Sequence, residues 1–463
     1  MISYRFDQLA RLTGGTLNNS HHAGAIFNGA VIDSRLAQPG NLFIAIKGER
    51  NDGHDYIDQV IARGVVGVMA GLSYPRLEQI TGMVAVVGVK DPHEAMIRLA
   101  ADYRQKLKAN FIGITGSNGK TTTKEFIAAL LRAFSDKVFA SPGNLNNLFG
   151  VPLSIFAIPN DTETCVLELG ISTKNEMPKL AEIVRPDACV FTNIGASHLE
   201  FLSSKAEVAQ AKLHMLDYAD DNTAVVVNAD DPILMAEVVK IRAKFTTFAI
   251  NQDAEFKPEQ IVQLDDGRTR VLIENNPFVI DLPGQHQVYN LLAGYACLRA
   301  LGYDFTNIET EKIKFASAAM RGELIESGGI SFMLDCYNAN PESMRASLKT
   351  FDAIKTDQRK VIILGDMLEL GEQSAEHHRE LGRFLTGLKF DLLITAGKMA
   401  RLIGEAFQEE NKSIQVVHYE SSANGAQHIQ QQLRRNDLAL LKASRGVALE
   451  KIYNVYKSQE DAA

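Results

Sequence analysis

The run Ile114-Thr115-Gly116-Ser117-Asn118-Gly119-Lys120-Thr121-Thr122-Thr123 constrains this chain more than any other stretch. An apolar segment, Phe111 to Ile114, precedes it, and Phe126, Ile127, Leu130, Leu131 and Phe134 recur after it at helical spacing. Strand, glycine turn, Lys-Thr and helix in that order predict a phosphate cradle. Backbone N–H groups at a helix start point at the anion, and glycines let the backbone approach it. Lys120 then places a positive charge on the β/γ-phosphates, and the Thr121 hydroxyl reaches Mg²⁺. The strict pattern G-x-x-x-x-G-K-[ST] is not met, because Ile114 stands where the first glycine belongs. Gly113 and Gly116 lie to either side of it, so the loop is a variant.

With 463 residues the chain exceeds a single core and is expected to hold about three domains. A hydrophobic content of 46% with 22% charged residues fits an ordinary globular protein. The formal charge of −8 argues against nucleic acid as a partner, since that needs a basic surface. Cys165, Cys189, Cys297 and Cys336 are widely spaced with no C-x-x-C pair, which predicts buried free thiols rather than disulfides or zinc ligands. The start, Met1-Ile2-Ser3-Tyr4-Arg5-Phe6-Asp7, carries no signal-peptide apolar region. No apolar run approaches the roughly 20 residues that span a bilayer. The expectation is a soluble, cytoplasmic protein without membrane insertion.

Three α/β blocks emerge. Residues 1–109 form a small N-terminal block, with short apolar strands at 42–46, 65–69 and 83–89 and a helix at 92–107. Residues 110–315 form a central block that opens with the phosphate loop. Its strands at 165–169, 188–192 and 224–227 alternate with helical stretches, which predicts a parallel sheet covered by helices. Residues 316–463 form a C-terminal block with strands at 330–334, 361–364, 392–395, 414–417 and 438–441, read as a Rossmann-like, doubly wound sheet. Polar residues crowd the carboxyl ends of those strands, where open α/β sheets bind ligands. A short polar tail is expected at 458–463.

Within the central block, Glu168 ends an apolar strand beside the phosphate loop. That is the position of a Mg²⁺ ligand, though a capping glutamate reads the same way. His198, after the turn Asn193-Ile194-Gly195, reads by spacing alone as a structural hydrogen-bonder. Lys212 sits in an ordinary helical stretch. His286 and Asn290 are four apart on one helix face and either hold a base or ribose or cap the helix.

Taken together these residues resemble the Mur ligases, ATP-dependent amide ligases. The shared elements are the loop Thr115 to Thr123, Glu168-Leu169-Gly170, Asn193-Ile194, His198, Ala211-Lys212, Asn228-Ala229-Asp230-Asp231-Pro232 and Pro283-Gly284-x-His286-x-x-x-Asn290. In the N-terminal block they are Asp33-Ser34-Arg35, Pro39 to Gly48 and Asn51-Asp52-Gly53-His54-Asp55. In the C-terminal block they are Asp335-x-Tyr337-Asn338-Ala339-Asn340-Pro341-x-Ser343-Met344, Leu364 to Gly371, Ser374, His378, Gly382 and Lys442-x-Ser444-Arg445. Within the family this set is most similar to members that attach D-alanyl-D-alanine to UDP-N-acetylmuramoyl-tripeptide. The Asp-Asn-Pro-Arg tetrapeptide of the diaminopimelate-adding members is absent.

The resemblance implies the following assignments. ATP and two Mg²⁺ ions are bound, with Thr115, Gly116, Ser117, Asn118, Gly119, Lys120, Thr121 and Thr122 around the phosphates. Arg321 also reaches the phosphates, His286 and Asn290 face the adenine side, and Asp335 meets the ribose or the incoming substrate. Thr121, Glu168, His198 and a carbamylated Lys212 hold the metal ions. Lys120, Lys212, His198 and Glu168 carry the chemistry. Ser34, Arg35 and Lys47 hold the UDP moiety; Asn144, Asn146 and Asn147 hold the muramoyl-peptide; Asn338 and Asn340 lie where the dipeptide enters. A monomer is expected, and because the phosphate-binding residues lie in the central block while Arg321, Asp335, Asn338 and Asn340 lie at or beyond its boundary, the C-terminal block is expected to swing about a hinge at 316–322, where small residues precede Arg321-Gly322. Two positions depart from the family pattern: His214 replaces a common glutamate, and Thr247-Phe248-Ala249 ends in alanine rather than glycine. The rival readings are a family member adding a single amino acid and, in another class, a nucleotide-dependent regulatory switch.

Overall fold

The structure is a computed structural model and describes residues 2–18, 20–49, 51–196, 200–242, 244–264, 268–315 and 320–460. His198 and residues 316–319 of the expected hinge lie outside the described residues. The strand Asn110–Thr115 occupies the middle of a six-stranded, all-parallel sheet. Thr164–Glu168 pairs with it on one side and Ala188–Phe191 on the other. Beyond them lie Val138–Ala140 at one edge, and Ala224–Asn228 followed by Thr246–Phe248 at the other. Such strands are covered on both faces, which is why they read as unbroken apolar runs rather than alternating ones. On one face the helices Lys120–Arg132 and Gln285–Ala300 bury Phe126, Ile127, Leu130, Leu291 and Leu292. On the other, Gly150–Ala157, Glu176–Val184 and Lys205–Leu213 close the layer.

The N-terminal block is a five-stranded sheet in the order Thr16–Leu17, Ala85–Val89, Gly67–Gly71, Leu42–Ile44, Ala30–Val31, parallel except for Thr16–Leu17. The helix Pro92–Lys106 leads from it into the central sheet. Asp91 caps that helix by accepting from the N–H groups of His93 and Glu94, and Pro92 takes the first position, where no donor is needed. Phe6, Met96, Leu99, Phe111 and Ile155 belong to one continuous core shared by the two blocks.

The C-terminal sheet runs Glu323–Ser327, Ile330–Asp335, Asp437–Lys442, Arg359–Gly365, Leu392–Ala396, Gln415–Tyr419, parallel except for the first strand. It has apolar layers on both faces, the doubly wound pattern expected. Three features go beyond the expectation. Glu323–Ser327 adds an antiparallel edge. A three-stranded antiparallel sheet, Gln260–Gln263, Thr269–Ile273 and Asn276–Ile280, packs Val271, Ile273, Phe278 and Ile280 onto the central core. Residues 458–460 of the expected polar tail continue a helix, Glu450–Glu460, and 461–463 lie outside the described residues. All four cysteines are free and buried, as expected. Among the described residues no helix is long and apolar enough to cross a membrane.

Candidate active site

The phosphate loop turns on two glycines. Gly116 has φ +151°, and a Cβ there would lie 1.9 Å from Thr192 Oγ1. Gly119 has φ +82°, and a Cβ there would lie 2.5 Å from Asn290 Oδ1. Only glycine meets both the backbone and the space requirement. Gly119 starts the helix without a side-chain cap, so the first-turn N–H groups keep no side-chain acceptor. The loop is held by the segment after Ala188–Phe191. Ser117 N–H donates to Asn193 O at 2.8 Å, Asn118 N–H to Asn193 Oδ1 at 2.9 Å, Gly195 N–H to Ser117 Oγ at 2.8 Å and Thr192 Oγ1 to Asn118 O at 2.6 Å. These two loops follow neighbouring parallel strands, so their carboxyl ends meet.

Lys120 Nζ donates to Gly116 O at 2.8 Å. Burial pushes its ammonium below the usual lysine range; Glu168 opposes this, and Arg321 adds to it. Lys212 is 1% exposed, and burial, then Lys120, push its amine well below the usual range against Glu168. Lys120 and Lys212 thus both interact with the Glu168 carboxylate, and Arg321 adds its charge beside Lys120. Glu168 is buried at the strand end. Its Oε2 accepts from Thr121 Oγ1 at 2.6 Å and its Oε1 from Asn146 Nδ2 at 2.8 Å. Thr121 and Glu168 present hard oxygens side by side, which suits Mg²⁺. Among the described residues no group of three His, Cys, Asp or Glu could hold a metal ion.

A cavity of about 750 Å³ opens above the loop. Ser117, Asn118, Gly119, Lys120 and Thr122 line its floor, and Asn146, Asn147 and Glu168 line one wall. His286 and Asn290 also line it. Asn290 also backs the loop, accepting from Thr123 Oγ1 at 3.2 Å and donating to Gln287 Oε1 at 2.9 Å. Burial pushes the His286 imidazole below its usual range, with Asp335 opposing and Lys442 assisting, which favours its neutral form. The C-terminal block supplies the roof. Arg321 lies over the Tyr337 ring at 3.9 Å, and Lys442 Nζ donates to Asp335 Oδ2 at 2.7 Å across adjacent strands. Asn340 caps Pro341–Ala353 through Ser343 N–H and exchanges amide hydrogen bonds with Asn118, at 2.8 and 3.4 Å. Asn338 lines the cavity beside it.

Thr115, Gly116 and Thr121 lie beneath the lining, and so does Lys212. Ser34, Arg35, Lys47 and Asn144 are not among the lining residues. Arg35 is exposed and forks onto Asp33 at 2.7 Å. Asn144 shapes its turn, its carbonyl accepting from Asn146 N–H at 2.7 Å. Sequence reasoning missed four polar groups. Tyr289, which lines the cavity, donates to Asp230 Oδ2 at 2.7 Å. Lys124, fully buried, donates to the Ser141 and Gly143 carbonyls and so supports the Asn-rich loop. Lys205 and Glu342 meet across the two blocks. Lys124 stands one turn past Lys120 in the helix Lys120–Arg132, a local signal for it; the other contacts leave none.

Three family models match the chain: "Mur ligase family, catalytic domain" over 27–104, "Mur ligase middle domain" over 114–298 and "Mur ligase, glutamate ligase domain" over 320–445. A UDP-N-acetylmuramoyl-tripeptide–D-alanyl-D-alanine ligase of Bacillus subtilis (strain 168) is 34% identical over 455 residues, 98% of each chain. A crystal structure of MurF from Acinetobacter baumannii superposes with TM-score 0.85 at 26% identity over 99% of each chain. That of the Thermotoga maritima MurF ligase in complex with ADP gives 0.78 at 27% identity, covering 94% of this chain and 99% of that one.

Proposed function

The chain belongs to the Mur ligase family, and from that premise we propose that it joins D-alanyl-D-alanine to UDP-N-acetylmuramoyl-tripeptide at the expense of ATP. The observation that carries the reading is the single cavity in which the phosphate loop, the Asn146–Asn147 wall and the C-terminal strand ends face one another. A regulatory switch needs the first of these only. Residues 1–109 take the UDP moiety through Ser34, Arg35 and Lys47. Residues 110–315 take ATP, and residues 316–463 take the dipeptide near Asn338 and Asn340. The enzyme works as a cytoplasmic monomer.

A carboxylate is a poor electrophile, so its oxygen first takes the γ-phosphoryl group of ATP, giving an acyl phosphate and ADP. The dipeptide amine then adds to the acyl carbon, and phosphate leaves. The protein's part is positioning and charge neutralisation. Lys120, Arg321 and the first-turn N–H groups of Lys120–Arg132 meet the phosphoryl oxygens. Thr121 and Glu168 would hold one Mg²⁺, with His198 and Lys212 at the second. When bound, the ions neutralise charge on the transferred group. Burial presses the Lys212 amine toward its neutral form, which is the form that adds to carbon dioxide, and the carbamate so formed would give hard oxygens where an ammonium would repel the metal.

Incubation with ATP, Mg²⁺, UDP-muramoyl-tripeptide and D-alanyl-D-alanine should yield the pentapeptide by mass spectrometry. A product only with free diaminopimelate or lysine on the dipeptide precursor would move the chain to the single-residue members. ATP turnover with no amide from any amine would favour the switch.

A further inference from the structure

The first turn of Pro341–Ala353 sends a second side chain into the central block besides Asn340. Glu342 Oε2 accepts Ala196 N–H at 3.0 Å, and its Oε1 accepts Lys205 Nζ at 2.7 Å. The carboxylate lies against the backbone there, for a Cβ on Gly195 would meet Oε2 at 3.1 Å. Gly195 is itself tied to the phosphate loop through Ser117 Oγ. Lys205 begins the helix that carries Lys212. A glutamate in a helix's first turn ordinarily faces solvent and favours the dipole. This one is half-buried, lines the cavity and bonds two elements of another block. Burial pushes its carboxyl up, but Lys205 and the N–H donors outweigh that and hold it below the usual range.

We propose that Glu342 is a positioning residue that fastens the C-terminal block to the loop beside the phosphate site and thereby keeps water from the activated acyl group. The inference rests on the acyl-phosphate reading above. Without the fastening, water competes with the amine. Its oxygen bonds the acyl carbon, the carbon–oxygen bond to phosphorus breaks, and carboxylate, inorganic phosphate and a proton result. ATP is then spent without amide. Asn118–Asn340 is neutral and pairs the loop with the helix end. Glu342 adds the charged contact to the segment on the far side of the loop.

The test measures inorganic phosphate and amide in the same reaction, with ATP, UDP-muramoyl-tripeptide and D-alanyl-D-alanine, for the parent, Glu342→Gln, Glu342→Ala and Lys205→Met. The parent should release one phosphate per amide. Glu342→Ala should release at least about twice as much phosphate as amide, with kcat/KM for the dipeptide lowered about 10-fold, the scale of coupling across one contact. Glu342→Gln, which keeps an acceptor for Ala196 N–H but loses the ion pair, should fall between. Lys205→Met removes the ion pair from a solvent-reached lysine and should uncouple as Glu342→Gln does. It decides the matter if Glu342→Ala fails to fold. One phosphate per amide in every folded variant, at parental kcat/KM, overturns the inference. No amide from the parent overturns the acyl-phosphate reading instead.

Discussion

Replacing Gly116 with alanine should damage nucleotide binding through one contact. The new Cβ would lie 1.9 Å from Thr192 Oγ1, far inside contact distance, and 3.1 Å from Asn193 N. Thr192 is buried and its hydroxyl donates to Asn118 O at 2.6 Å, so it cannot turn away without losing that bond. Losing a hydrogen bond costs about 0.5–1.5 kcal/mol. Overpacking adds about 1–3 kcal/mol. The backbone at φ +151° adds about 1–3 kcal/mol for a residue with a side chain. The terms together reach about 2.5–7.5 kcal/mol, more than a loop can absorb in place. The loop shifts instead, and Lys120 moves with it because its Nζ is bonded to Gly116 O. Calorimetric titration with ADP should show affinity lowered at least about 10-fold, since a displacement worth 1.4 kcal/mol suffices for that. The far-ultraviolet dichroism should stay parental. Thr192→Ala in the same chain removes Oγ1 and should recover part of the loss. Thr192→Val keeps the volume and should recover none. ADP affinity within about two-fold of the parent in Gly116→Ala would refute the packing argument.

Lys120→Ala should lower turnover at least about 10²-fold in a coupled assay, the scale for one preorganised charge-stabilising donor. Lys212→Met should raise stability at neutral pH in buffer free of carbon dioxide. The unfolded lysine binds a proton below its ordinary 10.5 while the folded one is depressed well beneath that, so parental stability climbs as pH rises toward 10.5 and the variant's advantage shrinks to nothing there. Bicarbonate should raise the parent's melting temperature and leave that of Lys212→Met unchanged, and a formate or acetate addition should partly restore turnover to Lys212→Ala. Lys124→Met leaves the Ser141 and Gly143 carbonyls without their donor, at about 1–3 kcal/mol for each unsatisfied group. Steady-state kinetics should show KM for the muramoyl-peptide raised with KM for ATP nearly unchanged.

The parts of this protein that its sequence determined are those written in contiguous residues. Strand, glycine turn and amphipathic helix from Asn110 to Arg132 are local in cause: periodicity buries Phe126 and Leu130, and positive φ at Gly119 requires glycine. The parallel strands of the central and C-terminal sheets were equally legible, because burial on both faces leaves continuous apolar runs. The small antiparallel sheet around Thr269–Ile273 was not. Gln260–Gln263 is exposed throughout, Thr269–Ile273 alternates over only five positions, and the apolar side of the sheet turns inward because it lies on Phe256 and Tyr295. The site divides the same way. That Glu168 ends a strand is local; that it receives Thr121 and Asn146, one on each oxygen, depends on three segments converging. Lys212 on its helix is an unremarkable lysine, and only packing makes it an amine pressed toward neutrality by burial and then by Lys120. Asn118 and Asn340 stand 222 residues apart, and Ala196 and Glu342 stand 146 apart. Such pairs leave no trace in local pattern, because hydrogen-bond partners and desolvation are set by which surfaces the fold brings together.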